Sequence, residues 1–126
     1  MLQRQHVSSG SKWEPLLGYS RAVRVGGTVY VSGTVGVMAD GSVPSDAYGQ
    51  TKRALEIIRG AFDQAGASME DVVRTRIFVT DIHQFEEVAR SHGEIFGTIR
   101  SATTVVEVRR LVDTAYVVEI EAEAMV

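Results

Sequence analysis

The chain has 126 residues, room for one domain with one core and too few for two. Its 44% hydrophobic and 23% charged residues exclude collagen-like, low-complexity and disordered classes. Cysteine is absent, which excludes a disulfide framework, a thiolate metal site and a cysteine nucleophile. The net charge of −3 argues against nonspecific nucleic-acid binding, which needs phosphate-neutralising cations. Eleven of the 13 basic residues are Arg, so local cationic sites remain open. The three histidines, His6, His83 and His92, have no i, i+4 pair, so the sequence predicts no metal centre. No apolar run approaches the roughly 20 residues of a bilayer span. The segment MLQRQHVSSGSKWEPL has no apolar signal core, and the reading is a soluble, cytoplasmic protein.

Residues 3–7 suit a short edge strand, and residues 8–18, with Ser, Gly, Lys and Pro, read as an ordered loop. Arg21–Val25 and Thr28–Ser32 suit a hairpin joined by Gly26-Gly27, and Gly33 closes the second strand. Residues 36–45 form a loop with a turn at Asp40-Gly41. Ser45 or Asp46 caps a helix over about 47–65, whose Ala54, Leu55, Ile58, Ala61, Phe62 and Ala65 recur at helical spacing. Gly66 suits its C-terminal stop. Val72–Val79 is a strand.

Asp81 and Gln84 suggest a capping box for a second helix with Phe85, Val88, Ala89, His92, Ile95 and Phe96 on one face, ending at Gly97. Strands at Thr103–Val108 and Tyr116–Ala124 finish the chain. In the last, Val118, Ile120, Ala122 and Ala124 alternate with Glu119, Glu121 and Glu123. The order β-β-β-α-β-α-β-β predicts a two-layer α+β domain with both helices on one sheet face.

The other face gathers Arg74, Arg76, Glu107, Arg109, Glu119, Glu121 and Glu123, with Phe78 and Val105 between them. Two readings fit it: a solvated face with cross-strand ion pairs, or a subunit contact around a polar centre. No phosphate loop, Gly-x-Ser-x-Gly elbow or Ser-His-Asp set is present. Gly33, at a strand end, permits close backbone approach by a ligand. Glu119, one of three carboxylates at i, i+2 spacing, is a candidate base for water, although an Arg-paired structural carboxylate explains it too. His92, with Arg90 and Glu94 nearby in sequence, is a candidate proton-transfer group, although a lone helical histidine is more often a packing residue.

Taken in order, several segments resemble the Rid family of reactive intermediate deaminases, also called YjgF-like or endoribonuclease L-PSP-like. They are Gly18-Tyr19-Ser20-Arg21-Ala22-Val23, Val29-Tyr30-Val31-Ser32-Gly33 and Ala65-Gly66-Ala67-Ser68-Met69-Glu70-Asp71-Val72-Val73. Phe78-Val79-Thr80-Asp81, Val106-Glu107-Val108 before Arg110-Leu111, and Val118-Glu119-Ile120-Glu121-Ala122 follow. The resemblance covers about residues 18–124. It implies a chorismate-mutase-like fold and a homotrimer whose sheets pack around a central barrel, with small-molecule clefts between subunits. It implies hydrolysis of enamines and imines to a keto acid and ammonia, without metal or cofactor.

The residues carry over in part. The family's carboxylate-gripping arginine falls at Thr103, which cannot form the charge-assisted fork. The usual asparagine falls at Ala89, its aromatic at His92, and the glutamine after Ser-Gly at Thr34. Tyr19, Ser32, Gly33 and Glu119 match, as does Arg110. The resemblance therefore implies a divergent site: Glu119 positions water, His92 assists proton transfer, and Tyr19, Ser32, Gly33, Ala89 and the Thr103–Val105 backbone frame the substrate. A noncatalytic binding trimer is the alternative, and a ribonuclease or translation inhibitor the third reading.

Overall fold

The computed structural model describes residues 2–126. Six strands form one mixed sheet: β1 (Arg4–Val7), β2 (Ala22–Val25), β3 (Thr28–Val35), β4 (Val72–Val79), β5 (Ala102–Glu107) and β6 (Val118–Met125). Their spatial order is β1-β2-β3-β6-β4-β5, antiparallel throughout except for the parallel β4–β5 pair. The last strand in sequence is thus a central one. Three helices complete the chain: α1 (Trp13–Leu17), α2 (Ala47–Gln64) and α3 (Phe85–Phe96). The long helices α2 and α3 pack on one face of the sheet, and among the described residues neither long helix covers the other face.

Local chemistry explains the helix ends. Asp46 is extended (φ −115°), and its Oδ1 accepts the Gly49 N–H at 2.7 Å, satisfying one of the orphan donors of α2. Gly66 follows α2 in the left-handed region at φ +79°, as its position suggests. Helix α1 lies inside the expected loop. Pro15 is tolerated in its first turn, and Gly18 (φ +83°) ends it by donating to the Glu14 carbonyl at 2.8 Å. Asp81 does not cap α3 directly. It accepts from the His83 N–H at 2.9 Å and starts a 3-10 turn, Ile82–Gln84, so Gln84 closes no capping box.

The core lies between the sheet and α2. Leu55, Ile58 and Phe62 of α2 are fully buried against Val29, Ile120 and Val118 of the sheet. Each such side chain contributes roughly 2 kcal/mol of burial. On α3 the buried stripe is Val88, Ser91 and Phe96, while Phe85 and Ala89, expected on that face, are exposed. Gly36 lets the end of β3 approach α2: a Cβ there would sit 2.4 Å from the Gln50 carbonyl oxygen. Gln50 is buried, donates to the Pro44 and Ala115 carbonyls and accepts from Val117 N–H, so it ties the entry of β6 to α2.

Two corrections concern the open face. Parallel register sets Ile77 beside Val105 and Thr75 beside Thr103, so Val105 packs toward the core and Val106 faces outward. Glu107 pairs with Val79 and accepts the Ile82 N–H at 3.0 Å, which removes it from the open-face charge ladder. The ladder is otherwise present, with Arg76 bonding Glu123 at 2.9 Å and Glu121 at 3.4 Å across β4 and β6. Arg109 lies beyond β5, in an exposed loop with Arg110.

Candidate functional site

Strand β3 does not end at Gly33. It continues to Val35 through a bulge: Val31 pairs with Ala122 and Thr34 with Ile120, so Ser32 and Gly33 together face Glu121. A bulge of this kind bends the strand and re-aims its side chains. Gly33 supplies space here rather than an unusual φ. A Cβ on Gly33 would lie 3.0 Å from Cδ of Glu119, so a larger residue would push that carboxylate away from the backbone by a few tenths of an ångström. Glu119 alternates with buried Val118 and Ile120 and therefore points to the open face. Burial pushes its carboxyl above the ordinary carboxylate range, Glu121 adds to this, and Arg21 opposes it.

Around the bulge, Ser32 donates its hydroxyl to the Ser20 carbonyl at 2.7 Å. Arg21 is buried and donates to the Gly33 carbonyl (2.7 Å), to Thr34 Oγ1 (2.8 Å) and to the Tyr19 hydroxyl (3.0 Å). Tyr19, Ser32, Gly33 and Glu119 are therefore one cluster, and Arg21 is the member that residue-by-residue reading missed. It begins the strand expected at Arg21–Val25, and nothing local showed that its guanidinium folds back onto β3.

The remaining residues form a second cluster on the opposite, helix-covered face. His92 Nε2 lies 2.9 Å from Thr75 Oγ1, which lies 2.6 Å from Thr103 Oγ1. Thr103 also donates to the Thr75 carbonyl at 3.2 Å. The His92 ring stacks at a tilt on Phe96, with centroids 4.5 Å apart. Burial pushes the imidazole below its ordinary range, so it is neutral at neutral pH. His92, Phe96, Arg100, Ser101 and Thr103 line an open groove of about 370 Å³ between α3 and β5. Ala89 is exposed one turn before His92.

Arg90 and Glu94 turn away from this groove. Glu94 accepts the Tyr48 hydroxyl at 2.9 Å, and Arg90 lies 4.1 Å over the Tyr48 ring, so neither serves His92. Thr75, the link between His92 and Thr103, is the second residue sequence reading missed; its partners are 17 and 28 positions away. Within one chain, then, the sheet separates His92 and Thr103 from Glu119, Tyr19, Ser32 and Gly33.

A small α+β domain with a mixed six-stranded sheet, helices packed on one face and a carboxylate set against a β-bulge on the other defines the class of fold. A profile of the family described as endoribonuclease L-PSP matches residues 10–126, and the chain belongs to that family. Among solved structures, Rv2704 of Mycobacterium tuberculosis, described as a member of the YjgF/YER057c/UK114 family, is 49% identical with a TM-score of 0.92. That match covers 98% of this chain and 100% of the other. The YjgF gene product of E. coli is 28% identical with a TM-score of 0.80, covering 95% and 91%. A RutC family protein of Pyrococcus abyssi is 34% identical over 78% of this chain and 79% of its own. The family and fold read from the sequence motifs are thus borne out.

Proposed function

We propose that this protein is a cytoplasmic homotrimeric hydrolase of the imine and enamine deaminase type, acting on a small nitrogen compound other than a classical 2-imino acid. The carrying observation is the half-buried Glu119 carboxylate held against Gly33 on the open sheet face. A carboxylate with a raised pKa is a better base near neutral pH than an ordinary one. Water attacks the substrate carbon while Glu119 takes its proton. The C–N bond then breaks, nitrogen leaves as ammonia after protonation, and the carbonyl product remains.

His92 is neutral and suited to pass a proton, and Thr75 and Thr103 hold its ring. Because His92 and Glu119 lie on opposite faces of one sheet, a cleft holding both needs two subunits. That requirement favours a trimer with clefts between its copies. Tyr19, Ser32, Gly33, Ala89 and the Thr103–Val105 backbone frame the substrate. Thr103 spends its hydroxyl on Thr75 and has no fork for a carboxylate, which argues against 2-imino acids.

The test is imine hydrolysis. An amino-acid oxidase generates imino acids in place, semicarbazide reports their lifetime, and simple aliphatic imines serve as the second substrate set. We expect wild type to accelerate hydrolysis of the aliphatic set only, and Thr103→Arg to gain the imino acids. Silence of both proteins on both sets overturns the catalytic reading. The same Thr103 hydrogen bonds favour a second reading, a noncatalytic binding trimer. A compound that raises the melting temperature and is recovered unchanged would support it. The Glu119, Glu121 and Glu123 row disfavours RNA as the substrate.

A further inference from the structure

Arg21 is 7% exposed, yet no carboxylate lies within ion-pair distance of it among the described residues. Burying an unpaired charge is costly, so something else must hold it. Four acceptors do: the Gly33 carbonyl at 2.7 Å, Thr34 Oγ1 at 2.8 Å, the Tyr19 hydroxyl at 3.0 Å and the Ser32 carbonyl at 3.5 Å. Its guanidinium also lies 5.3 Å from the Tyr19 ring centroid. Thr34 in turn donates to the Ser32 carbonyl at 2.7 Å. One side chain thus binds the bulge that accommodates Glu119 and the phenol beside it.

A neutral amide could satisfy some of these acceptors without the cost of a buried charge. The cation therefore needs a reason beyond packing, and the nearby acids supply one. Both Glu119, from β6, and Glu14, from α1, feel its field. Glu14 is itself held by Ser8 and Ser9. The other charged group acting on Glu119 is Glu121, which Arg76 of β4 engages at 3.4 Å. Phe78 and Val35, the register partners of Glu119, carry no charge.

We propose that Arg21 is a positioning residue that aims the Tyr19 hydroxyl, fixes the Ser32–Thr34 bulge and sets its cation on the Gly33 backbone against which Glu119 packs. This rests on the reading of Glu119 as the water-orienting carboxylate. Two functions of the guanidinium separate by substitution. Arg21→Gln removes the charge; Arg21→Lys keeps the charge and loses the fork.

The experiment follows the Glu119 carboxyl carbon and the Tyr19 Cζ by NMR through a pH titration of each folded protein. The pH profile of imine hydrolysis is recorded alongside. In Arg21→Gln we expect the Glu119 midpoint to rise and the acid limb of the rate to rise with it. In Arg21→Lys we expect the midpoint to stay, the Tyr19 resonance to move and turnover to fall about tenfold, as a misplaced group costs. An unchanged Glu119 midpoint in Arg21→Gln overturns the proposal, even if the melting temperature falls. Should that variant not fold, Arg21→Lys decides alone, and an unmoved Tyr19 resonance overturns it. If wild type hydrolyses no imine, the functional reading fails, while the titration still decides whether Arg21 governs Glu119.

Discussion

Glu119 shows how a single carboxylate can work against stability. Its folded pKa lies above the ordinary value, so folding favours the protonated form. Such a group contributes stability that is full below its unfolded pKa and lost as pH rises through its folded one. At a pH above the ordinary carboxylate range, burying this side chain is therefore a burden on the folded state. Glu119→Gln is expected to abolish turnover while leaving the melting temperature at pH 7 equal or higher, measured by calorimetry beside the hydrolysis assay. A marked drop in melting temperature would make Glu119 a structural group instead.

Gly33→Ala tests the adjacent contact. Its methyl would meet Glu119 at 3.0 Å, so we expect turnover to fall about tenfold with little loss of stability, because φ there suits any residue. His92 has the opposite sign. Its folded pKa is lowered, so its contribution is full above the unfolded value and lost as pH falls through the folded one. His92→Ala should therefore flatten the acidic side of the stability curve. Tyr19, Ser32, Gly33 and Glu119 were legible because each sits in a motif read along the chain. Arg21 and Thr75 were not, since their roles come from contacts that only the folded sheet creates.

The elements fold by local rules wherever one segment decides, and depart from them where a neighbour strand does. Helix α2 is the first kind. Its cap and apolar spacing were plain, and Asp46→Ala should cost about 1 kcal/mol in urea unfolding through loss of the Gly49 hydrogen bond. Strand β5 is the second kind. Alternation alone cannot fix which parity faces the core, and the parallel register with β4 sends Val105 inward and Val106 outward. Strand β3 likewise runs past Gly33 because β6 pairs with it beyond the bulge. The short helix α1 escaped because five residues carry too little periodicity to distinguish a turn of helix from a loop. Gly36→Ala probes the β3–α2 contact. Its Cβ would meet backbone that cannot swing away, so we expect a loss of about 3 kcal/mol, at the upper end for overpacking.

At the level of the whole molecule, the bare sheet face carries the Arg76, Glu121 and Glu123 network beside Tyr30, Phe78 and Val106. Half-exposed apolar side chains around ion pairs suit a face shared between copies better than one left in water. Sedimentation velocity should give the mass of three chains, and Phe78→Asp should release single chains that keep the far-ultraviolet spectrum of wild type. No helix among the described residues is long and apolar enough to cross a membrane. The central place of β6 also dictates when this protein can fold. During synthesis the ribosome releases β1–β3 and β4–β5 as two sheet fragments whose joining strand, Val118–Met125, emerges after both. Until then the edges of β3 and β4 are unpaired and sticky. Closure of the sheet therefore waits for Val118–Met125, and a nascent chain halted before residue 118 is the form on which a holding chaperone would act.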